Sequence, residues 1–327
     1  MGTKLIAFIA AATLALWPAP DRPALAQCAL PVPESPSPGQ VQAAMSQARD
    51  HGFLWRVRKE GRTSYVYGTM HVGRLEWMFP GPAVGLALRD ADVLALELDP
   101  FDPQMQSRLA AAIAAMPHET IPEALEQRLR SAAESLCVPY ESIAALAPEF
   151  QIVTLDAFAG RPYQLEARFG TDLGLAAVAR AAGKEIVSME TPESQVQALA
   201  LRDPGLTQAF VEASLEELEP GRSAEHLIRI SRAWAGSDYE DLAHYADWCL
   251  CLDTEIERLM MKRLLDERNP SLAETVDRLH QSGKRVFAAV GSLHMFGPTG
   301  LPQLLEKRGY RVERVELARH TQEGSAP

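Results

Sequence analysis

The stretches VYGTMHVG (66–73) and AVGSLHMFG (289–297) share one pattern near opposite ends of the chain. Each is an apolar run that leads into Gly-x-x-His, with another glycine within a few residues. A short apolar run bounded by turn residues is typical of a buried strand. The pattern therefore predicts two buried strands that lead into a histidine, His71 in the first and His294 in the second.

Two further predicted strands end on a carboxylate. VLALELD (93–99) contains Glu97 at its end, and EIVSME (185–190) ends at Glu190. One such ending alone is more often a solvent-facing loop residue than a ligand. In open α/β sheets, however, the ligand crevice lies outside the carboxyl ends of the strands. If the four strands are parallel neighbours, two imidazoles and two carboxylates converge there.

The patterning elsewhere predicts an α/β fold with a long helical middle. LWRVRK and SYVYG flank a Lys-Glu-Gly-Arg turn and predict a hairpin, and RVERVEL (311–317) predicts a last strand. Residues from about 101–183 and 192–268 have the pattern of helices separated by Pro and Gly breaks. We therefore expect a mixed, mostly parallel sheet flanked by helices, with a helical insertion between the strand-rich ends.

The amino terminus has the features of a secretory signal peptide. Lys4 precedes the apolar run LIAFIAAATLALW (5–17), and Ala24-Leu25-Ala26 fits the small-x-small cleavage rule. We expect cleavage after Ala26 and a periplasmic or secreted product without a transmembrane segment in the mature chain. The tetrapeptide that ends at Cys28 is nearly a lipobox, but Gln27 before the cysteine is too large for that pattern, so lipidation is a minor alternative.

The length and net charge of the chain limit its domain organisation and its partners. Residues 1–26 are the expected signal peptide, 27–50 an N-terminal arm, and 51–320 a single α/β domain, for which the chain is long enough. The net charge is −11, and the acidic residues are scattered along the chain. A nucleic-acid partner would need a basic face, so we expect none. A peptide or a small molecule is the expected substrate.

The chain has four cysteines, and none is part of a Cys/His array with zinc-finger spacing. An oxidising compartment permits disulfides. A bridge from Cys137 to either Cys249 or Cys251 is one expectation, and the spacing does not decide the connectivity.

Small residues surround the two histidines. Gly68 and Gly291 allow the chain to turn sharply off each strand and bring backbone N–H groups close to a ligand. Thr69 and Ser292 lie inside the motifs, where we expect hydrogen bonding within the turn in preference to a nucleophilic role. Neither H-E-x-x-H nor G-x-S-x-G occurs in the chain.

Three functions are compatible with these residue types. Histidine and carboxylate bind divalent metals such as Mn, Co or Zn, and two histidines with one carboxylate leave positions open for water, as a hydrolytic site requires. Glu97 or Glu190 could instead be a general base for that water. A metal-free, esterase-like hydrolase with a His/Glu base is the first alternative. A non-catalytic protein that sequesters a peptide or a metal is the second.

Five stretches, in order, carry a resemblance to a known family: YGTMHVG (67–73), VLALELDP (93–100), FGTDLGLAAVARAAGKEIVSMETPESQ (169–195), DERNP (266–270) and AVGSLHMFGPTGLPQLLEKRGYRVERV (289–315). With them the chain resembles the TraB/GumN/PrgY family, which includes the Tiki proteins, from about Leu54 to Leu317. The resemblance implies a fold related to erythromycin esterase and ChaN-like proteins. It also implies metal-dependent proteolysis, as known for Tiki proteins.

The resemblance also implies roles for individual residues. His71 and His294 match the two motif histidines that hold the metal, and Glu97 and Glu190 match the acids, as metal ligands or catalytic groups. Arg268 matches the arginine of the family's Arg-Asn pair, followed here by Asn269. Two roles for Arg268 are equally open, a fork for a substrate carboxylate or oxyanion and an ion pair at the start of the next helix.

One stretch departs from the family pattern. The Trp-x-x-Gly-Asp sequence of many relatives appears here as AWAGSDY, with Ser237 inserted before Asp238. No role is therefore carried over to that loop.

Overall fold

A computed structural model of the chain describes residues 34–218, 223–249 and 251–318. Its centre is a six-stranded sheet with the spatial order β4-β3-β5-β2-β1-β6. The strands are β1 Phe53–Lys59, β2 Arg62–Thr69, β3 Val93–Leu96, β4 Glu185–Ser188, β5 Val286–Gly291 and β6 Arg311–Val315. Only β1 runs against the other five. The sheet is thus mixed and mostly parallel, which confirms the predicted fold class.

The helices precede, separate and follow these strands. Proline is at the first or second position of many of them, where its missing N–H removes no helical hydrogen bond. They are α1 Pro38–Ser46, α2 Pro82–Asp90, α3 Pro103–Ala114, α4 Glu123–Ser135, α5 Pro148–Ala159, α6 Thr171–Ala181, α7 Pro192–Leu199, α8 Pro204–Leu218, α9 Ser223–Ala235, α10 Tyr239–Ala243, α11 Tyr245–Trp248, α12 Glu255–Met261, α13 Asn269–Gln281 and α14 Leu301–Lys307. The predicted helical middle is thus made of helices on both sides of β4.

The predicted hairpin is formed by β1 and β2. Phe53 lies opposite Gly68, and Lys59 lies opposite Arg62. The two turn residues between the strands, Glu60 and Gly61, have φ angles of 51° and 73°. Positive φ at both central residues is the type I′ geometry, which matches the twist of a two-residue hairpin.

The four strands predicted to lead into the site are contiguous and parallel in the order β4-β3-β5-β2. Every residue of β3 and β5 is buried, as expected for parallel strands covered by helices on both faces. Their carboxyl ends therefore meet at one edge of the sheet.

The apolar core consists of two clusters. One surrounds the sheet and includes Leu94, Phe287 and Trp234. The other lies among the helices of the insertion and includes Phe150 and Phe210. The insertion therefore has a buried core of its own. In the described ranges, no helix has the length and apolar character needed to cross a bilayer.

The predicted bridge from Cys137 to Cys249 or Cys251 is wrong, because Cys249 and Cys251 are bonded to each other. Their Cα atoms are 5.0 Å apart, a normal separation for a disulfide, and Cys249 directly follows α11. Both sulfurs belong to the core around the sheet, whereas the neighbours of Cys137 belong to the core of the insertion. Cys137 is also disulfide-bonded. The predicted signal peptide lies outside the described residues.

Candidate functional site

The first histidine motif is held against the start of α6. Thr171 donates its N–H to the Met70 carbonyl at 2.8 Å, and its Oγ1 accepts the Met70 N–H at 2.9 Å. A Cβ at Gly170 would lie 2.9 Å from the His71 carbonyl oxygen, so only glycine allows this approach. These contacts fix the backbone immediately before His71.

The two histidine motifs lie directly against each other. Thr69 is opposite Gly291 in the parallel pair β2/β5, and Ser292 Oγ donates to the Thr69 carbonyl at 2.9 Å. A Cβ at Gly68 would lie 2.9 Å from Ser292 Oγ and 3.1 Å from its Cα. Trp234 donates its indole N–H to the Gly68 carbonyl at 2.8 Å. The motif glycine is therefore required by close packing. The expected hydrogen bonding within the turn is not found: Ser292 bonds to the neighbouring strand, and Thr69 Oγ1 has no hydrogen-bond partner among the described residues.

Glu97 stands between the two histidines at the end of β3. Its Oε1 accepts the Gly291 N–H at 2.8 Å. The same oxygen lies 3.6 Å from His71 Nε2 and 3.9 Å from His294 Nε2. One oxygen of Glu97 thus lies within 4 Å of an imidazole nitrogen from each of the two motifs.

Arg268 joins the two glutamates. Its Nη2 donates to Glu97 Oε2 and to Glu190 Oε2 at 2.6 Å each, and its Nε donates to Glu190 Oε1 at 2.8 Å. Its Nη1 donates to the Leu264 carbonyl at 3.0 Å. The Gln195 amide also donates to both carboxylates, at 3.3 and 3.1 Å. Arg268 is therefore ion-paired with both glutamates, and its role as a fork for a substrate carboxylate or oxyanion stays a prediction.

His294 is fully buried and is oriented by the first residue of α13. Its Nδ1 lies 2.5 Å from Asn269 Oδ1. Oriented in this way, the Asn269 amide oxygen can only accept, so Nδ1 carries the proton and Nε2 presents a lone pair. Nε2 is buried and has no hydrogen-bond partner among the described residues. A buried acceptor without a donor is costly unless something else binds it.

The surroundings shift the pKa values of these groups in opposite directions. Burial, with the charge of Arg268, lowers the pKa of His294 to about 3, so it is neutral at physiological pH. Burial also disfavours the charged form of His71, but Asp172 and Glu97 outweigh it and raise the pKa to about 10. Burial disfavours ionised Glu97 too, yet Arg268 and His71 hold its pKa well below the usual value. Each buried charge in the cluster is therefore offset by an opposite charge next to it.

Glu97 and the two histidines are the candidate ligands for a metal ion. Among the described residues, no three His, Cys, Asp or Glu side chains form a complete metal-binding group. Arg268 hydrogen-bonds to both Glu190 oxygens and to one oxygen of Glu97. The atoms left facing each other are Glu97 Oε1 and the two Nε2 atoms. Two ligands of one tetrahedral ion are about 3.4 Å apart, close to the 3.6 and 3.9 Å observed.

The structure brings together the predicted histidines, glutamates, Arg268 and Asn269, and it adds three residues that sequence reasoning missed. Asp172 follows Thr171 in α6 and lies 3.4 Å from His71 Nδ1. Gln195 lies one turn into the helix predicted to start after Thr191. Trp234 lies in the AWAGSDY stretch. The only signal for the first two was a polar residue in the first turns of a predicted helix, which is too common to identify a site.

Parallel strands bring two histidines and two glutamates to one edge of the sheet. This arrangement defines the structural class of the protein. It is an α/β protein with a buried histidine–carboxylate–arginine cluster at the carboxyl ends of its strands. The chain belongs to the TraB/PrgY/gumN family, which it matches over residues 53–314, so the predicted resemblance is confirmed. It is similar to the uncharacterized protein YbaP of Shigella flexneri and of Escherichia coli strain K12. Each is 26% identical over 273 residues, 81% of this chain and 98% of the relative. No solved structure matches significantly.

Proposed function

We propose that the protein is an exported metal-dependent hydrolase that acts on peptides. The observation that carries the proposal is His294 Nε2, a fully buried lone pair that lies 3.9 Å from Glu97 Oε1 and for which the described part of the chain supplies no hydrogen-bond donor. The peptide class rests on the resemblance to Tiki proteins. The buried carboxyl-end position of the cluster agrees with a site that excludes bulk water.

His71, His294 and Glu97 would hold a Mn, Co or Zn ion. When bound, such an ion lowers the pKa of its water and polarises a substrate carbonyl. Asn269 fixes the tautomer of His294 so that Nε2 is available. Arg268 holds one Glu97 oxygen and leaves the other directed at the imidazoles. Glu190 keeps Arg268 in place in this geometry, and its predicted part as a ligand or base would require one of its oxygens to leave that pair.

The metal-free alternative is favoured by a different observation. The pKa of His71 is raised to about 10, so without a metal the ring is a cation next to Glu97. A positioned imidazolium can donate a proton to a leaving group, and Glu97 Oε1 can accept one from water. In this alternative the two histidines would have unequal roles, because His294 stays neutral.

Metal analysis combined with turnover separates these functions. Purified protein is tested for bound metal by mass spectrometry and for cleavage of a peptide and ester library, before and after exhaustive chelation and readdition of Mn, Co or Zn. We expect chelation to abolish peptide cleavage and readdition to restore it. Full activity without metal would favour the metal-free hydrolase, and metal binding without turnover would favour the sequestering protein.

Three variants complete the design. His71→Gln and His294→Gln should each lose bound metal together with activity, because each removes a ligand. His244→Gln is the matched control, since His244 is exposed on the surface. Circular dichroism checks the fold. Loss of activity with unchanged metal content in one variant would contradict the shared ligand role.

A further inference from the structure

The two histidines of the cluster have different partners at Nδ1. His294 Nδ1 faces the amide oxygen of Asn269 at 2.5 Å, whereas His71 Nδ1 faces the carboxylate of Asp172 at 3.4 Å. The Asp172 side chain is mostly buried, with 16% of its surface exposed. The contact at His71 is within ion-pair range and longer than a strong hydrogen bond.

The position of Asp172 relative to His71 is determined by the backbone. Asp172 is the second residue of α6, directly after Thr171, whose two hydrogen bonds to Met70 join the helix start to the turn before His71. Gly170 allows the close approach, because a Cβ there would lie 2.7 Å from Asp172 Oδ1. The carboxylate is thus presented to the ring by backbone contacts.

We propose that Asp172 is a positioning residue: it accepts the His71 Nδ1–H and thereby keeps Nε2 directed at Glu97 Oε1. This inference rests on the proposed function, in which His71 Nε2 is a ligand. A carboxylate behind a ligating histidine fixes ring orientation and increases ligand basicity, and its loss commonly weakens metal affinity 10–100-fold. The Nδ1–H of the first motif histidine would then be accepted by an aspartate, and that of the second by an asparagine.

A purely structural role makes a different prediction. Asp172 lies in the first turn of α6, where a negative charge favours the helix dipole. For that role only the charge matters, so Asp172→Asn and Asp172→Ala should have the same effect. If Asp172 accepts the Nδ1–H, the amide oxygen of Asp172→Asn still can, as Asn269 does for His294, and only Asp172→Ala removes the acceptor.

Cobalt binding to the folded full-length protein tests how metal affinity changes from wild type to the two Asp172 variants. We expect Co²⁺ affinity, measured by titration of its visible absorption, to fall from wild type to Asp172→Asn to Asp172→Ala, with Asp172→Ala weaker than wild type by about 10–100-fold. Asp203→Asn and Asp203→Ala are the matched controls. Asp203 is exposed, accepts the Leu206 N–H near the start of α8, and should leave Co²⁺ affinity unchanged. Equal affinities for Asp172→Asn and Asp172→Ala would overturn the proposal.

A second measurement does not depend on the metal. In protein with ¹⁵N-labelled histidine rings, the Nδ1–H of His71 should resist solvent exchange in wild type and in both Asp203 variants. That protection should persist in Asp172→Asn and disappear in Asp172→Ala. Wild type that binds no Co²⁺ would refute the proposed function alone, and the exchange measurement would then decide the part of Asp172. An unchanged resonance in Asp172→Ala overturns the inference.

Discussion

Replacement of Arg268 by methionine removes the guanidinium that two buried glutamates contact. Methionine keeps much of the volume of the arginine stem, so the change tests charge and hydrogen bonding more than packing. Three of the donor contacts of Arg268 go to Glu97 and Glu190, at 2.6 to 2.8 Å, and the fourth goes to the Leu264 carbonyl. In the variant, both carboxylates would stay buried but would lose the positive charge and the hydrogen bonds that Arg268 supplies.

The expected magnitude follows from the cost of an unpaired buried charge. Breaking a buried ion pair by removal of one partner costs about 3–5 kcal/mol. We expect Arg268→Met to lower the free energy of unfolding by at least that range, out of a typical total of about 5–15 kcal/mol. Arg180→Met is the control. Arg180 pairs with Asp99 at 2.8 Å but its side chain is 46% exposed, and exposed pairs contribute about 0–1 kcal/mol.

Urea unfolding followed by tryptophan fluorescence and circular dichroism measures the difference. Both variants should unfold with a nearly unchanged dependence on urea, and only Arg268→Met should have a much lower midpoint. A second substitution, Glu190→Gln, should recover part of the loss, because it removes one of the uncompensated charges. A loss below about 1 kcal/mol, or equal losses in the two arginine variants, would refute the reasoning.

The free energy of unfolding that Arg268→Met loses should depend on pH in a definite direction. Arg268 holds the folded-state pKa of Glu97 well below its usual value. That stabilisation is present above the unfolded-state pKa of about 4.3 and is lost as the pH falls through the lower folded-state pKa. In Arg268→Met the glutamate is protonated more readily in the folded state. The gap between wild type and variant should therefore narrow below about pH 4.3, and a gap that widens there would contradict the assignment.

Other changes give further tests. Gly68→Ala should destabilise by about 1–3 kcal/mol in urea unfolding, because its Cβ would meet the serine of the second motif, whereas Gly39→Ala has open space and should not destabilise. His294, with a folded-state pKa of about 3, should make wild type lose stability as the pH falls from about 6.5 towards 3, by up to about 1.4 kcal/mol per unit, and His294→Gln should lack that slope. Non-reducing peptide mapping should find Cys249 linked to Cys251, and a different pairing would disprove that bridge.

The strands and the motif residues could be predicted because each has a local signal. Apolar runs that end in polar residues predicted β2 to β5, and the rule for parallel sheets placed His71, Glu97, Glu190 and His294 at one edge. The hairpin was equally local, since its turn follows from two adjacent residues. These elements depend on short stretches of sequence, which is why the fold class was predictable.

The partners of the site residues could not be predicted in the same way. Asp172, Gln195 and Trp234 reach the site through the packing of helices that are far apart in the chain. Cys249 pairs with Cys251, two positions further on, and nothing in the spacing favoured this short bridge over a longer one. The ion pairs of Arg268 could not be predicted either, because they depend on how close Glu97 and Glu190 lie to it in the fold.

The placement of β5 between β2 and β3 has a consequence for how the protein matures. β2 and β3 come early in the chain, but they do not pair with each other, and β5 fills the space between them. The backbone of Gly291 at the end of β5 also holds Glu97. During synthesis, β2 and β3 are made before β5, so the two histidine motifs cannot meet until β5 has been made. The cluster is therefore non-local in the chain, and we expect a chain that lacks β5 to be unable to assemble it.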